Sequence, residues 1–386
     1  MNLNNNWSKT GNSIDELRAV LSALDTETHL LSVRCEMASN ITFFVPSGSE
    51  RMVYKMTPDV TRLVDGAHPL WYKGAPNIPR MIFLGKNAED MIMSVPLAKQ
   101  QRKEFNADSL EFAVSDSAAT INTWYARLGI QGFDDATPPY QPLFLAWGTH
   151  WKLSGSFLKL LYRTDPLDHD ARKIFGFYGR KYKIVPHTYV LTLLDCAAKG
   201  RKVLNCGWTV SHFETRVETE LDAQGTRLKL SIVTSDTSGS DGSGGSPFRT
   251  VIHARYNDDW LYIGEQTIGH DGAVDADFSA LCINAGRLLN SATKLVQKLS
   301  CETLDSEKLF RLQRGVEKAL AHDLGKTRLA IVHKKWPDKN AENATAETLK
   351  FLLEMSGWLS EETIPLTEAM KERIDKVVGE SIQQVF

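Results

Sequence analysis

The spacing of apolar residues changes along the chain, and this change constrains the fold more than any other feature. Segments 227–233 and 249–256 alternate apolar and polar residues, as half-buried strands do. After Asp277 the apolar residues recur at helical spacing to the end of the sequence. The two patterns follow one another, which predicts an α+β fold with a mixed or antiparallel sheet core and a mainly helical C-terminal third.

We expect three regions. Residues 1–140 form an N-terminal α+β region, 141–286 an α+β core, and 287–386 a helical C-terminal region. Within the core, segment 235–246 is rich in glycine and serine and too polar to pack, which predicts a mobile loop between two strands.

Capping and stop signals locate several elements. Ser13-Ile14-Asp15-Glu16 is a capping box, so a helix should begin just before Leu17. In the core, 182–185 is predicted as a strand and 187–198 as a helix. In the last third, the spacing predicts helices over 306–324, 345–355 and 367–384, the first stopped by Gly325.

Composition excludes several classes of protein. The 386 residues are 42% hydrophobic and 24% charged, which excludes wholesale disorder and a coiled-coil rod. The net charge of −2 excludes a globally basic surface, although not a local one. No apolar run approaches the roughly 18 residues of a membrane helix, and the five cysteines form no C-x-x-C pair. We therefore expect a cytoplasmic protein with reduced thiols and no membrane partner.

The most informative segment for function is 151–202. It carries eleven Lys and Arg against four Asp, a net of +7, and its part 175–183 interleaves rings with cations. Single-stranded nucleic acid is bound in this way, because cations neutralise phosphates while exposed rings stack on bases. A half-buried hairpin, with its rings in the core and its cations in water, would give the same pattern.

The first of these interpretations assigns roles to individual residues. Arg180, Lys181 and Lys183 would contact phosphates. Tyr178, with Tyr182 or Phe177, would supply the stacking rings. Other cations would extend the charge path: Arg163, Arg172 and Lys173.

A group of acidic residues surrounds His270 in the sequence. Two or three convergent carboxylates could hold Mg²⁺ for phosphoryl chemistry, but no spacing in the group matches a known metal loop, and the pattern is more typical of solvated loop acids. No other cofactor is expected. Nucleophile elbows, phosphate loops and dinucleotide-binding glycine motifs are absent, so no catalytic residue is assigned and a non-enzymatic role is favoured. The acidic residues are Asp258, Asp259, Glu265, Asp271, Asp275 and Asp277.

Segments 161–165 and 174–187 resemble the phage/plasmid-like protein family of unknown function, whose pattern is an Arg-x-Asp, a short strand and a helix. Arg163 and Asp165 match the first part, and His187 stands where that family usually has Asn. Segments 234–236, 251–255 and 281–286 resemble its later motifs, so the similarity covers about 143–287. The resemblance implies a gene of a phage, plasmid or integrated element in a bacterial host cell, an α+β core, and no catalytic residues to carry over.

Three functions remain open at this stage. The first is a nucleic-acid-binding protein that forms a homo-oligomer and binds or anneals single-stranded DNA in replication or recombination. The second is a non-enzymatic protein-interaction or assembly factor, host-directed or structural, whose helical C-terminal third supplies the contact surface. The third is a metal-dependent nuclease that uses the acidic group.

Overall fold

A computed structural model describes residues 7–34, 41–47, 50–54, 69–70, 81–82, 92–115, 117–128, 157–236, 248–270 and 273–386. The described residues form an α+β fold with a helical C-terminal region, as the sequence predicts; it has a large antiparallel sheet, a large mixed sheet and a two-stranded antiparallel sheet of β5 and β6. In chain order, its elements are β1 (Ser8–Gly11), α1 (Ile14–Glu27), β2 (Thr28–Val33), β3 (Thr42–Ser47), β4 (Glu50–Tyr54), β5 (Pro69–Leu70), β6 (Met81–Ile82), β7 (Ile92–Pro96), α2 (Lys99–Phe105), β8 (Ser109–Val114), α3 (Ala118–Leu128), β9 (Leu158–Thr164), β10 (Arg172–Tyr178), α4 (Tyr189–Ala198), β11 (Lys202–Ser211), β12 (Glu214–Ala223), β13 (Thr226–Ser235), β14 (Phe248–Tyr256), β15 (Asp259–Ile268), α5 (Val274–Cys301), α6 (Ser306–Lys335), α7 (Ala344–Leu353), α8 (Met355–Glu362) and α9 (Glu368–Val385).

The first sheet has six antiparallel strands in the order β1-β11-β12-β13-β14-β15. Every second residue of its central strands is buried, among them Val217 and Leu221 of β12 and Leu228 and Leu230 of β13. This period of two places one face of the sheet on the core. Helices cover that face: α5 contacts β13, β14 and β15, and α9 packs on β15.

The second sheet has seven strands in the order β2-β9-β10-β8-β7-β3-β4. It is mixed, because β10 and β8 run parallel while the other neighbours are antiparallel. Helix α3 packs on β10, where the Trp124 ring stacks on Phe177 with 4.1 Å between ring centroids. A separate apolar core, which includes Phe112 and Leu160, forms around this sheet.

The larger apolar core joins distant parts of the chain. It combines Leu17 of α1, Val190 of α4, Leu230 of β13, Val316 of α6 and Ile374 of α9. The C-terminal helices therefore pack on the same core as the antiparallel sheet. Helix α5 is continuous across position 286, where the sequence analysis places a region boundary, and the division into three regions stays a prediction.

Several local predictions are confirmed. Ser13 caps α1, since its hydroxyl accepts a hydrogen bond from the Glu16 backbone N–H, and α4 begins within two residues of the predicted start. Gly325 has φ 69° and ψ 171°, which is not helical, so the first helical stretch of α6 ends where the sequence predicts and a second stretch follows after a kink. Segment 182–185 is not a strand; it connects β10 to α4.

The strands that flank the predicted mobile loop pair with each other, with Thr234 opposite Phe248. The loop itself, from 237 onward, lies outside the described residues. Within the described part of the chain, no helix combines the length and the apolar character needed to cross a membrane.

Candidate nucleic-acid interface

A buried polar cluster joins the two sheets. Asp236, directly after β13 of the antiparallel sheet, forms its centre and is 1% exposed. Its Oδ2 accepts from Arg163 Nη2 of β9 at 2.6 Å and lies 3.0 Å from Nε2 of His187. We call Arg163, Tyr178, Tyr182, His187 and Asp236 the junction cluster.

Both side-chain partners of the Asp236 carboxylate are held in place by threonines. Arg163 Nε donates to Thr28 Oγ1 at 3.1 Å, and Thr28 is the residue at which α1 passes into β2. His187 Nδ1 lies 2.8 Å from Thr215 Oγ1 of β12. The cluster thus connects strands of both sheets through hydrogen bonds with fixed geometry.

The backbone of Asp236 is held as firmly as its side chain. The hydroxyls of Tyr178 and Tyr182 both donate to its carbonyl oxygen, the second at 3.0 Å. The two rings are stacked, with centroids 3.7 Å apart and an interplanar angle of 6°. Burial raises the pKa of both phenols, so they remain protonated donors at neutral pH.

The electrostatics of the cluster favour an ionised Asp236. Burial alone would raise the pKa of this carboxyl, but His187, through its charge and hydrogen bond, and the Arg163 guanidinium outweigh burial and lower it to about 2. Asp236 Oδ1 and Arg163 Nη1 have no hydrogen-bond partner among the described residues. The carboxylate therefore acts mainly as a structural counterion between the sheets.

The three rings predicted to stack on bases are buried. Tyr178 is 8%, Tyr182 7% and Phe177 0% exposed, so none of them is a stacking platform in this structure. Phe177 and Tyr178 are buried because β10 has a partner strand on each side and is packed against α3. Tyr182, beyond the end of β10, is buried by stacking on Tyr178 and by its contact with His270. All residues of β10 from Lys173 onward are buried. The strand is therefore buried on both faces and does not alternate between buried and exposed residues, as a half-buried strand would.

Three of the predicted cations do not belong to an exposed charge path either. Arg163 is buried against Asp236, and Lys173 is only 4% exposed. Arg172 is half-buried beside Asp170 at the other end of β10, about 20 Å from Tyr178 at the rise of a strand.

The remaining cations converge at one end of the mixed sheet. Arg180, Lys181 and Lys183 follow β10 and are exposed. Two further cations, which sequence analysis did not assign to an interface, join them. Lys159 Nζ of β9 donates to the Tyr182 carbonyl at 2.6 Å, and a Cβ at Gly179 would lie 2.6 Å from Nη1 of Arg127, at the end of α3. We call these residues the basic cluster: Arg127, Lys159, Arg180, Lys181 and Lys183.

Four of the five cations in the basic cluster have no carboxylate partner in the part of the chain that the structure describes. Among the described residues, no carboxylate forms an ion pair with Arg127, Lys159, Arg180 or Lys181. The pKa of Lys159 is lowered, first by burial and then by the positive charge of Lys183, which shows that these two ammonium groups interact. Mutual repulsion of this kind makes the site attractive to an anion such as phosphate.

The segment that carries the cluster is tied to the protein body. Lys183 N–H donates to the His270 carbonyl at 2.7 Å, and His270 Nδ1 lies 2.8 Å from the Lys183 carbonyl. His270 Nε2 lies 3.0 Å from the Ser235 carbonyl. Burial lowers the pKa of His270 even though Asp236 and both carbonyls favour the charged ring. These contacts hold the backbone of the segment that carries the basic cluster against the rest of the protein.

The acidic residues do not form a metal site in the described part of the chain. Asp258 and Asp259 lie at the start of β15. Asp275 and Asp277 lie in α5, which begins after the opposite end of that strand. Glu265 pairs with Arg249 and Lys376. Among the described residues no group of three or more His, Cys, Asp or Glu could hold a metal ion, and Asp271 lies outside them. The described part of the chain therefore offers the nuclease hypothesis no convergent carboxylates.

Comparison with known proteins gives no relative: no protein-family model, no curated protein and no solved structure matches the chain. Membership of a phage/plasmid-like family therefore stays a prediction.

Proposed function

We propose that the protein binds nucleic acid, and that the basic cluster makes the phosphate contacts. The observation that carries the proposal is the convergence of Arg127, Lys159, Arg180, Lys181 and Lys183 at one end of the mixed sheet. Five cations within one surface region, without a described carboxylate against four of them, supply the sequence-independent term of nucleic-acid affinity.

The proposed binding mode relies on phosphates rather than bases. The expected preference for single strands depended on exposed rings, and Phe177, Tyr178 and Tyr182 are buried. The affinity should therefore depend strongly on salt, while single-stranded and duplex DNA should differ less than a stacking mechanism requires. Homo-oligomerisation and a role in replication or recombination belong to the same proposal.

The test compares two triple variants with equal loss of charge. One is Arg180→Gln, Lys181→Gln and Lys183→Gln in the basic cluster. The other is Lys294→Gln, Lys318→Gln and Lys326→Gln, at exposed positions of α5 and α6. Fluorescence anisotropy of a labelled oligonucleotide of about 30 nucleotides should show binding weakened by roughly tenfold or more in the first variant and little change in the second.

Equal weakening in the two variants would mean that only the net charge matters, and would contradict the assignment of the interface. Unchanged affinity in both would contradict it as well. Circular dichroism of each variant checks that the fold is retained, as expected for substitutions of exposed residues.

A further inference from the structure

Helices α4 and α5 lie side by side and run in the same direction. At the start of α4, the Tyr189 ring stacks on Phe278 with centroids 4.0 Å apart, and its hydroxyl hydrogen-bonds Asp275. Just past the end of α4, Arg201 Nη2 donates to Asn290 Oδ1 of α5. These contacts fix the register of the two helices at both ends of α4.

The register places two cysteines opposite each other. The two polar contacts between α4 and α5 join residues that are 86 and 89 positions apart in the sequence. Cys196 and Cys282 are also 86 positions apart. Cys196 follows Tyr189 by two helical turns, as Cys282 follows Asp275, so the two cysteines lie on the facing surfaces of α4 and α5. Cys196 is also among the groups that raise the pKa of the Cys282 thiol, in keeping with this proximity. A disulfide requires two cysteines on neighbouring elements whose side chains face each other, as here.

The two thiols differ in accessibility. Cys196 is exposed, so a small oxidant in solution reaches its sulfur. Cys282 is partly buried and packs on the apolar core, so it is shielded and lies behind Cys196. An accessible thiol beside a second, less accessible thiol is the arrangement of a peroxide-reactive cysteine with its resolving cysteine.

We propose that Cys196 and Cys282 are a redox modification site, at which a peroxide converts the two thiols into a reversible intramolecular disulfide. In the first step, Cys196 sulfur attacks hydrogen peroxide, the O–O bond breaks, and a sulfenic acid and water form. In the second step, Cys282 sulfur attacks the sulfenic sulfur, the S–O bond breaks, and a second water leaves. Two equivalents of a small thiol reverse the reaction and are themselves oxidised to a disulfide.

The environment of Cys282 sets the order of the two steps. Burial, followed by the interaction with Cys196, raises the pKa of the Cys282 thiol to about 12. A thiol with a raised pKa reacts slowly with peroxide, so the exposed Cys196 is oxidised first and Cys282 acts as the resolving thiol.

The experiment uses the reduced full-length protein. It is treated with hydrogen peroxide, free thiols are blocked with N-ethylmaleimide, and unreduced peptides are analysed by mass spectrometry. We expect a peptide pair that links Cys196 to Cys282 and disappears after treatment with dithiothreitol. The Cys301→Ser variant should form the same link, because Cys301 is an exposed cysteine at the end of α5 that serves as the matched control.

A second measurement follows the intermediate. In Cys282→Ser the sulfenic acid at Cys196 has no resolving thiol, so its labelling by dimedone should rise severalfold over the wild type. Wild-type protein that shows no linked peptide, and whose Cys196 and Cys301 are labelled by dimedone to the same extent, would overturn the proposal. A link from Cys196 to any other cysteine would overturn it too.

Discussion

At the scale of single residues, Asp236 combines buried interactions of its side chain and of its backbone. Its carboxylate pairs with Arg163 and His187, and its carbonyl accepts two tyrosine hydroxyls. A buried carboxylate of this kind is retained only when its partners offset the cost of removing it from water. The pair Arg163 and Asp236 is 73 positions apart in the sequence, so no local pattern could have predicted it.

Removal of Arg163 tests this interpretation. Arg163→Met leaves Asp236 with His187 alone, and we expect the free energy of unfolding to fall by roughly 3–5 kcal/mol. Arg172→Met is the matched control, because Arg172 is half-buried and pairs with an exposed Asp170; its loss should cost within about 1 kcal/mol. Urea unfolding at pH 7 measures both, and equal effects would contradict a central role for the buried pair.

The same variant should alter the dependence of stability on pH. The pKa of Asp236 is lowered from 3.8 to about 2 in the fold, so its ionised form contributes stability above about pH 4 and this contribution is lost as pH falls towards 2. The shift corresponds to about 2 kcal/mol. In Arg163→Met the pKa of Asp236 is higher, so this variant loses less stability than the wild type as the pH falls.

The difference in unfolding free energy between wild type and Arg163→Met should therefore narrow below about pH 4. Urea unfolding at a series of pH values measures it. A difference that stays constant down to pH 3 would show that Arg163 does not hold the pKa of Asp236 low.

At the scale of elements, the sequence predicts the helices and strands whose capping residues or apolar pattern lie within the segment itself. The Ser13 cap, α4, β13 and β14 are confirmed because capping residues and regular alternation lie within each segment. Strand β12 was missed because threonines occupy some of its inward positions, which hides its period of two; Thr215 and Thr219 are buried there. The burial of β10 depends on neighbours far away in sequence, which explains why the sequence could not decide between rings exposed for base stacking and rings packed in the core.

The contact between α9 and β15 gives a prediction at this scale. Gly379 of α9 lies so close to β15 that a Cβ would overlap the Tyr262 carbonyl, and Gln383 Nε2 donates to the carbonyls of Tyr262 and Ile263. Gly379→Ala should therefore destabilise the protein by roughly 1–3 kcal/mol, because helix and strand must move apart.

Gly357→Ala in α8 is the control for helix propensity, since nothing lies near the position of its added methyl group. It should stabilise the protein by about 0.5–1 kcal/mol. Thermal unfolding of both variants separates the two effects. A stabilising Gly379→Ala would show that α9 does not pack against β15 at backbone distance.

At the scale of the whole molecule, folding redistributes the charge of segment 151–202. Arg163 and Lys173 enter the interior, and Arg172 lies at the opposite end of β10 from Arg180. Lys199, Arg201 and Lys202 follow the far end of α4, about 15 Å from its start. Only part of the net charge of +7 carried by segment 151–202 therefore lies in the basic cluster. Lys159 of β9 and Arg127 of α3 complete the cluster from other elements.

The most direct test of nucleic-acid binding is a salt series on the wild-type protein. Anisotropy titrations of a labelled oligonucleotide of about 30 nucleotides, single-stranded and duplex, give the affinity at each salt concentration. We expect the logarithm of the association constant to fall linearly with the logarithm of salt concentration, with a slope that reflects about three to five phosphate contacts. Absence of binding to either DNA at the lowest salt concentration would contradict it.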